Sequence, residues 1–228
     1  MVGSRHLNVG YFICSKLRII IVIIFLSMIS MRSVIGEDIK QKLDGLNSSS
    51  TTVVLQAINE LAQINTIEST NALVNRLKIE KDNYLKTQII EALAVHQSTV
   101  ALDGILSAIN DSNPYVRQTA MVNLGYFSDN DKVAESISSA LEKETNDSVK
   151  LSAINTFSKN RTKKAVDALG KVLKTDKDAR VRKFAIRTLG KINTEDALKE
   201  VEKYKADPEV RDEVNDVLRK VKKGKPGK

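Results

Sequence analysis

Residues 178–192 read DARVRKFAIRTLGKI, and residues 113–127 read NPYVRQTAMVNLGYF. Superimposed, they set Val181, Arg182, Ala185, Leu189 and Gly190 on Val116, Arg117, Ala120, Leu124 and Gly125. The same frame recurs as LKTQIIEALA (85–94), VKLSAINTFS (149–158), VVLQAINELA (53–62) and, more loosely, VRDEVNDVLR (210–219). Its starts, Val53, Leu85, Val116, Val149, Val181 and Val210, lie 29 to 33 residues apart. Apolar residues at offsets 0, +4, +5 and +8 share one side of a 3.6-residue helix. Three residues before each start stand Ser50, Asp82, Asn113, Asn146, Asp178 and Asp207. Each carries a side-chain oxygen able to accept a free amide of a first turn, so each frame predicts a helix with its own N-cap. Pro114 and Pro208 follow two caps at the first helical position, where the missing N–H costs nothing. Gly125 and Gly190, near the helix ends, predict close packing or an exit turn.

A second apolar pattern precedes each frame. It is clearest at Ala101, Leu102, Leu106 and Ile109, at Val133, Ala134, Ile137 and Leu141, and at Ala165, Val166, Leu169, Val172 and Leu173. Weaker forms are Ile39, Leu43 and Leu46, then Ala72, Leu73 and Leu77, then Ala197, Leu198 and Val201. Each unit is therefore a helix pair of about 30 residues that buries its apolar faces only by stacking on its neighbours. The pattern predicts an all-α fold over residues 37–222: an α-solenoid, a right-handed superhelix of about six pairs, with twelve helices and no strand. Composition agrees. Aromatic residues make up 4% of the chain, there is no Trp, and three Pro with ten Gly are too few for the turns of a β-sandwich. One Cys excludes an intramolecular disulfide scaffold.

The formal charge of +8 is unevenly placed. Residues 1–36 carry +4 and residues 219–228 carry +6, which leaves −2 on residues 37–218. A near-neutral body argues against a nucleic-acid partner despite the basic total. In the first segment, Arg5, Lys16 and Arg18 precede the apolar run IIIVIIFLSMISM (19–31). Thirteen helical residues span about 20 Å, short of a hydrocarbon core of roughly 30 Å. Val34 and Gly36 provide small residues for cleavage after Gly36. Residues 1–36 thus read as a secretory signal peptide or, uncleaved, as an N-terminal membrane anchor with Arg32 at the far interface; a buried helix is the third reading. Both of the first two export the body. Cys14 precedes the apolar run, where it is no lipoprotein-type acceptor.

The motif D-x-x-V-R-x-x-A-hydrophobic-x-x-L-G, carried by residues 178–192 and 113–127, resembles the short HEAT repeat of phycobilisome-lyase-like proteins. The resemblance extends over the whole body and implies an interaction scaffold more often than an enzyme. A bilin lyase-like enzyme or chaperone is one alternative it implies. A nucleic-acid-binding or base-excision protein of the HEAT-like glycosylase type is the other, opposed by the near-neutral body and the absence of Trp.

No catalytic residue, cofactor or metal site is expected. Beyond the first 36 residues there is no Cys and a single His, His96, so thiol nucleophiles and Cys-based zinc sites are excluded. HEAT-like metal hydroxylases use His-Glu pairs, and this sequence has no His-Glu dipeptide. His96 reads as a helix C-terminal or surface residue. Neither a phosphate loop nor a nucleophile elbow is present.

Two columns remain. Lys86, Arg117, Lys150, Arg182 and Arg211 directly follow the frame start in five units. They form either an anion track or a structural ladder paired with caps and carbonyls of neighbouring repeats; the angular position, toward the apolar side, favours the ladder. Offsets +3 and +6 point away from the core and read Gln56, Asn59, Gln88, Glu91, Thr119, Val122, Ser152, Asn155, Phe184 and Arg187, then Glu213 and Asp216. This row, on the helix that usually lines a concave side, is the candidate protein-binding surface, with Phe184 as its anchor. Residues 223–228 end the chain as a basic tail expected to be disordered, able to touch an anionic surface or simply to aid solubility. Sequons start at Asn47, Asn110, Asn146 and Asn160. The expected partner is a protein, reached outside the cytoplasm, with membrane contact only through an uncleaved N-terminal segment.

Overall fold

The computed structural model describes residues 39–127 and 130–224. The segment of residues 1–36, with its export reading, and residues 225–228 of the expected tail lie outside the described residues, whereas Lys223 and Gly224 of that tail belong to the last helix. The chain divides into two compact units, residues 1–57 and 58–228. The described part of the first holds α1 (39–45) and the start of α2 (Thr51–Gln63). Here Gly45 lies against Ala57, whose Cβ is 3.0 Å from where a glycine Cβ would stand. Leu46, Val54 and Ala57 are buried. The frame start Val53 is 43% exposed, whereas Val54 is 1% exposed. This corrects the expected inward residue: Val54 occupies the position that holds Lys or Arg in later units, and being wholly apolar it turns in fully.

The second unit contains the remaining helices. They are α3 (Ile67–Ile79), α4 (Asn83–His96), α5 (Thr99–Ser107), α6 (Pro114–Asn123), α7 (Asp131–Leu141), α8 (Asp147–Thr156), α9 (Lys163–Thr175), α10 (Ala179–Ile192), α11 (Glu195–Glu202) and α12 (Arg211–Gly224). Short 3₁₀ turns extend α5, α6 and α8. Among the described residues there is no strand. The fold is an α-solenoid. First helices neighbour first helices, as α3 with α5, α7 with α9, and α9 with α11. Second helices form an unbroken row in which α4, α6, α8, α10 and α12 each touch the next. Between the layers lie the frame residues, with Ile89, Leu93, Val116, Leu124, Val149, Phe157, Val181 and Leu189 all buried.

Caps set the register. Asp82 and Asn113 each accept two first-turn amides, and Asn146 and Asp178 accept one each. Asp207 accepts the Glu209 N–H at 2.9 Å, but α12 starts only at Arg211, after a turn through Pro208. At Ser50 it is the main-chain carbonyl that accepts, from Val54 N–H. The first helices are capped with equal regularity. Thr66, Ser98, Asn130, Thr162 and Thr194 stand 32 residues apart, and each accepts an amide of the turn it begins.

Of the two roles expected of the repeat glycines, the exit turn falls to other residues. Gln97 and Asn193, at φ 45° and 55°, end α4 and α10 in the left-handed region. Gly190 instead permits close approach: a Cβ there would lie 2.6 Å from Val217 Cγ1. Gly125 has open space around it.

Candidate functional site

The basic column is paired inside the fold at Lys86, Arg117, Lys150 and Arg182. Lys86 Nζ lies 2.6 Å from Asp111, Arg117 Nε 2.8 Å from Glu144, and Lys150 Nζ 2.8 Å from Asp176. Arg182, itself buried, bonds Glu209 and donates to the Asp176 carbonyl at 3.0 Å. Each cation thus reaches from the second helix of one repeat to the inter-helix loop of the next. Arg211, at the end of the row, is exposed, and among the described residues its ion-pair partner is the adjacent Asp212 at 3.8 Å.

The acids that receive these cations form a column absent from the sequence reading. Asp111, Glu144 and Asp176 stand two residues before the caps Asn113, Asn146 and Asp178, and accept the caps' own N–H groups at 2.8 to 2.9 Å. Glu80 does the same for Asp82 and pairs with Arg76 on its own helix. One carboxylate therefore both stiffens a loop and ties it to the preceding repeat. Burial opposes the ionisation of Glu144, yet the Arg117 guanidinium and the Asn146 amide outweigh it and hold the carboxyl below its ordinary value. Asp111, between Lys86 and the Asn113 amide, is likewise lowered against its burial. Their side chains are internal counter-charges rather than sites open to a substrate.

His96 corrects another expectation. It is buried, not a surface residue. Nε2 lies 3.1 Å from the Leu61 carbonyl and Nδ1 2.7 Å from Thr70 Oγ1. A carbonyl only accepts, so Nε2 donates to Leu61, while the Thr70 hydroxyl lies between Nδ1 and the Thr66 carbonyl, the latter at 2.8 Å. The imidazole joins three successive helices. Among the described residues no group of three His, Cys, Asp or Glu side chains could hold a metal ion.

The +3 and +6 row lies on the surface, as its offsets require. Asn59, Glu91, Val122, Asn155 and Arg187 are exposed, while Gln88, Thr119 and Ser152 are half-buried. Gln56, in the first unit, is exposed. Phe184 is half-buried beneath Arg187, whose guanidinium carbon is 5.6 Å from the ring centroid. Arg187 also lies 3.2 Å from Glu213. The expected anchor is thus partly covered by its own helix. More prominent apolar groups occupy offsets −1 and +10, which the sequence reading passed over. Tyr84 and Tyr115 take the first, Val95 and Tyr126 the second, and all four are exposed, Tyr115 at 73%. Offset arithmetic on an ideal helix puts Tyr84, Tyr115 and Val95 on the same side as +3 and +6, while Tyr126 lies in the 3₁₀ turn after α6. Two sequon asparagines are engaged by the fold: Asn146 caps α8, and Asn160 is buried with its Oδ1 on the Thr162 amide.

Residues 134–219 match the family model described as HEAT repeats. That stretch of the chain is similar to HEAT repeats. A crystal structure of an engineered protein, solved by a structural genomics consortium, is similar over 82% of this chain and 97% of its own, at 19% identity and a TM-score of 0.51. A designed armadillo repeat protein is similar over 79% and 98%, at 18% identity and a TM-score of 0.47. The complex of CpcE and CpcF of phycocyanin lyase from Nostoc is similar over 80% and 94%, at 16% identity and a TM-score of 0.41. At such identity the engineered protein shows the fold alone. A search of the curated proteins finds no match.

Proposed function

We propose that this protein is an exported, non-enzymatic scaffold that binds a protein partner on the solvent face of its second-helix row. The observation that carries this reading is a contrast between two columns. The cations that could have formed an anion track are spent on Asp111, Glu144, Asp176 and Glu209, whereas Tyr84, Val95, Tyr115, Val122 and Tyr126 on α4, α6 and the turn after α6 are left outside the core. Exposed aromatic and branched groups recurring on adjacent helices make a surface from which a partner excludes water. Export rests on the sequence of residues 1–36, whose basic and apolar segments have the order of a secretory signal or anchor.

The full-length chain, tagged at its C-terminus and crosslinked in its own cells, tests the reading. A partner is expected to co-purify with the native protein and to be lost from a Tyr115→Asp, Val122→Asp variant that keeps its helical circular dichroism. Equal recovery by both proteins would remove the second-helix row as the site. A reporter active only outside the cytoplasm, fused after residue 40, is expected to give signal, with Glu37 as the new N-terminus on cleavage. A soluble cytoplasmic product would remove the export reading.

A further inference from the structure

The C-terminal ends of the second helices form a column whose chemistry changes along the row. At offset +10 it reads Val95, Tyr126, Lys159, Lys191 and Lys220, all exposed. At offset +6 the same helices hold Glu91 on α4, Val122 on α6, Asn155 on α8 and Arg187 on α10, all exposed. The exposed Val and Tyr groups of these ends thus lie on α4, α6 and the turn after α6, and the cations on α10 and the turn after α8. A cation near a helix C-terminus is favourable in itself, which accounts for lysines at α8 and α10. It does not account for an exposed Val and Tyr at the equivalent places. Nor are these cations used as the ladder is. Among the described residues no acid pairs with Lys159 or Lys191, and only Arg187 has one, Glu213, at 3.2 Å.

Building on the scaffold reading, we propose that this column binds an extended peptide segment that is apolar at one end and acidic at the other. Its apolar residues cover Val95, Val122 and Tyr126, and its carboxylates meet Lys159, Arg187 and Lys191. Charge complementarity selects the acidic half, and desolvation of the exposed Val and Tyr side chains holds the apolar half. Helix spacing sets the register. Neighbouring helices pack about 9–10 Å apart and an extended chain rises about 3.3 Å per residue, so the segment advances about three residues per repeat. Three repeat steps separate Val95 from Lys191, a span of about nine to ten residues by the same spacings. The partner therefore carries its acids about three residues apart, downstream or upstream of an apolar pair with the same interval.

A fluorescein-labelled synthetic peptide of about twelve residues, with two Leu and two Glu at three-residue intervals and Ser elsewhere, is titrated against the full-length protein by anisotropy. Binding is expected to weaken by about tenfold or more in Lys159→Glu, Lys191→Glu and in the Gln-for-Glu peptide, and to weaken with salt. Val122→Ser, Tyr126→Ser is expected to weaken it by about tenfold with the salt dependence unchanged. Lys174→Glu, on the first-helix layer, is expected to leave it unaltered. Circular dichroism confirms folding of each variant. Equal affinity for the Glu and Gln peptides, or no binding up to about 1 mM, overturns the inference. A photo-crosslinking residue at position 122 in cells separates its failure from that of the scaffold reading. A captured protein joined through a segment without acids overturns this inference and leaves the scaffold standing. A crosslinked second copy of the chain also overturns it, and no captured protein removes both.

Discussion

Arg117 donates from Nε and Nη2 to the two carboxylate oxygens of Glu144, at 2.8 and 2.9 Å, across the joint between consecutive repeats. The two parallel bonds fix both distance and angle between α6 and the loop that opens α8, which a single Lys bond does less well. Glu144 is 5% exposed, so removal of its partner strands a buried carboxylate. Arg117→Ala is expected to lower unfolding free energy by about 1–3 kcal/mol in urea titration. Arg211→Ala, with its exposed side chain and distant acid, is expected to change it by less than about 0.5 kcal/mol. Equal losses at the two positions would show that the bridge between repeats contributes nothing beyond side-chain packing.

Acid should loosen the joints before it affects the helices. Glu80, Asp111 and Glu144 all have folded-state pKa values below their ordinary ones, each against the opposing effect of burial. Below its unfolded pKa, each binds protons more readily in the unfolded chain than in the native one. Their contribution is therefore present above the unfolded value and is lost as pH falls through the folded one. The melting temperature is expected to fall below about pH 4.5 and to continue falling toward lower pH. Glu144→Gln should make this acid limb shallower, since one depressed carboxyl is gone. An unchanged limb would assign the acid sensitivity to other groups.

His96 links Leu61, Thr70 and its own helix through two ring nitrogens, and its loss leaves a cavity as well as an unpaired carbonyl. His96→Ala is expected to cost about 2–4 kcal/mol, measured by urea unfolding, with Thr70→Val costing less because the hydroxyl alone is removed. If both substitutions are neutral, the buried hydrogen bonds do not stabilise the repeat.

The helix pairs were legible because apolar offsets and caps are local signals. The fold needed only recurrence of Val116, Ala120 and Leu124 at a fixed interval. The acids Asp111, Glu144 and Asp176 were harder to see, since their role depends on a cation about 26 residues away and on a loop conformation. His96 was misread for a related reason: its partners lie on two other helices, and a lone His near a helix end carries no sign of burial. On the outer face, the reading took offsets +3 and +6 and omitted −1 and +10. The omitted offsets hold Tyr84, Val95, Tyr115 and Tyr126, all of them exposed.

The two repeat glycines, identical in the sequence frame, should part company on substitution. Gly190 faces Val217 of α12, and an added Cβ would stand 2.6 Å from Cγ1 and 3.2 Å from Cγ2. Val217 is β-branched and buried, so it has no free rotamer into which to retreat, and α10 and α12 would have to separate. Ala gains about 1 kcal/mol of helix propensity over Gly, but overpacking costs about 1–3 kcal/mol. Gly190→Ala is therefore expected to lower the melting temperature. At Gly125 no atom lies within 4 Å of the added Cβ, so only the backbone term remains. Gly125→Ala is expected to be neutral or to raise stability by up to about 1 kcal/mol. A stabilised Gly190→Ala would mean that α12 docks on α10 more loosely than the close contact with Val217 requires.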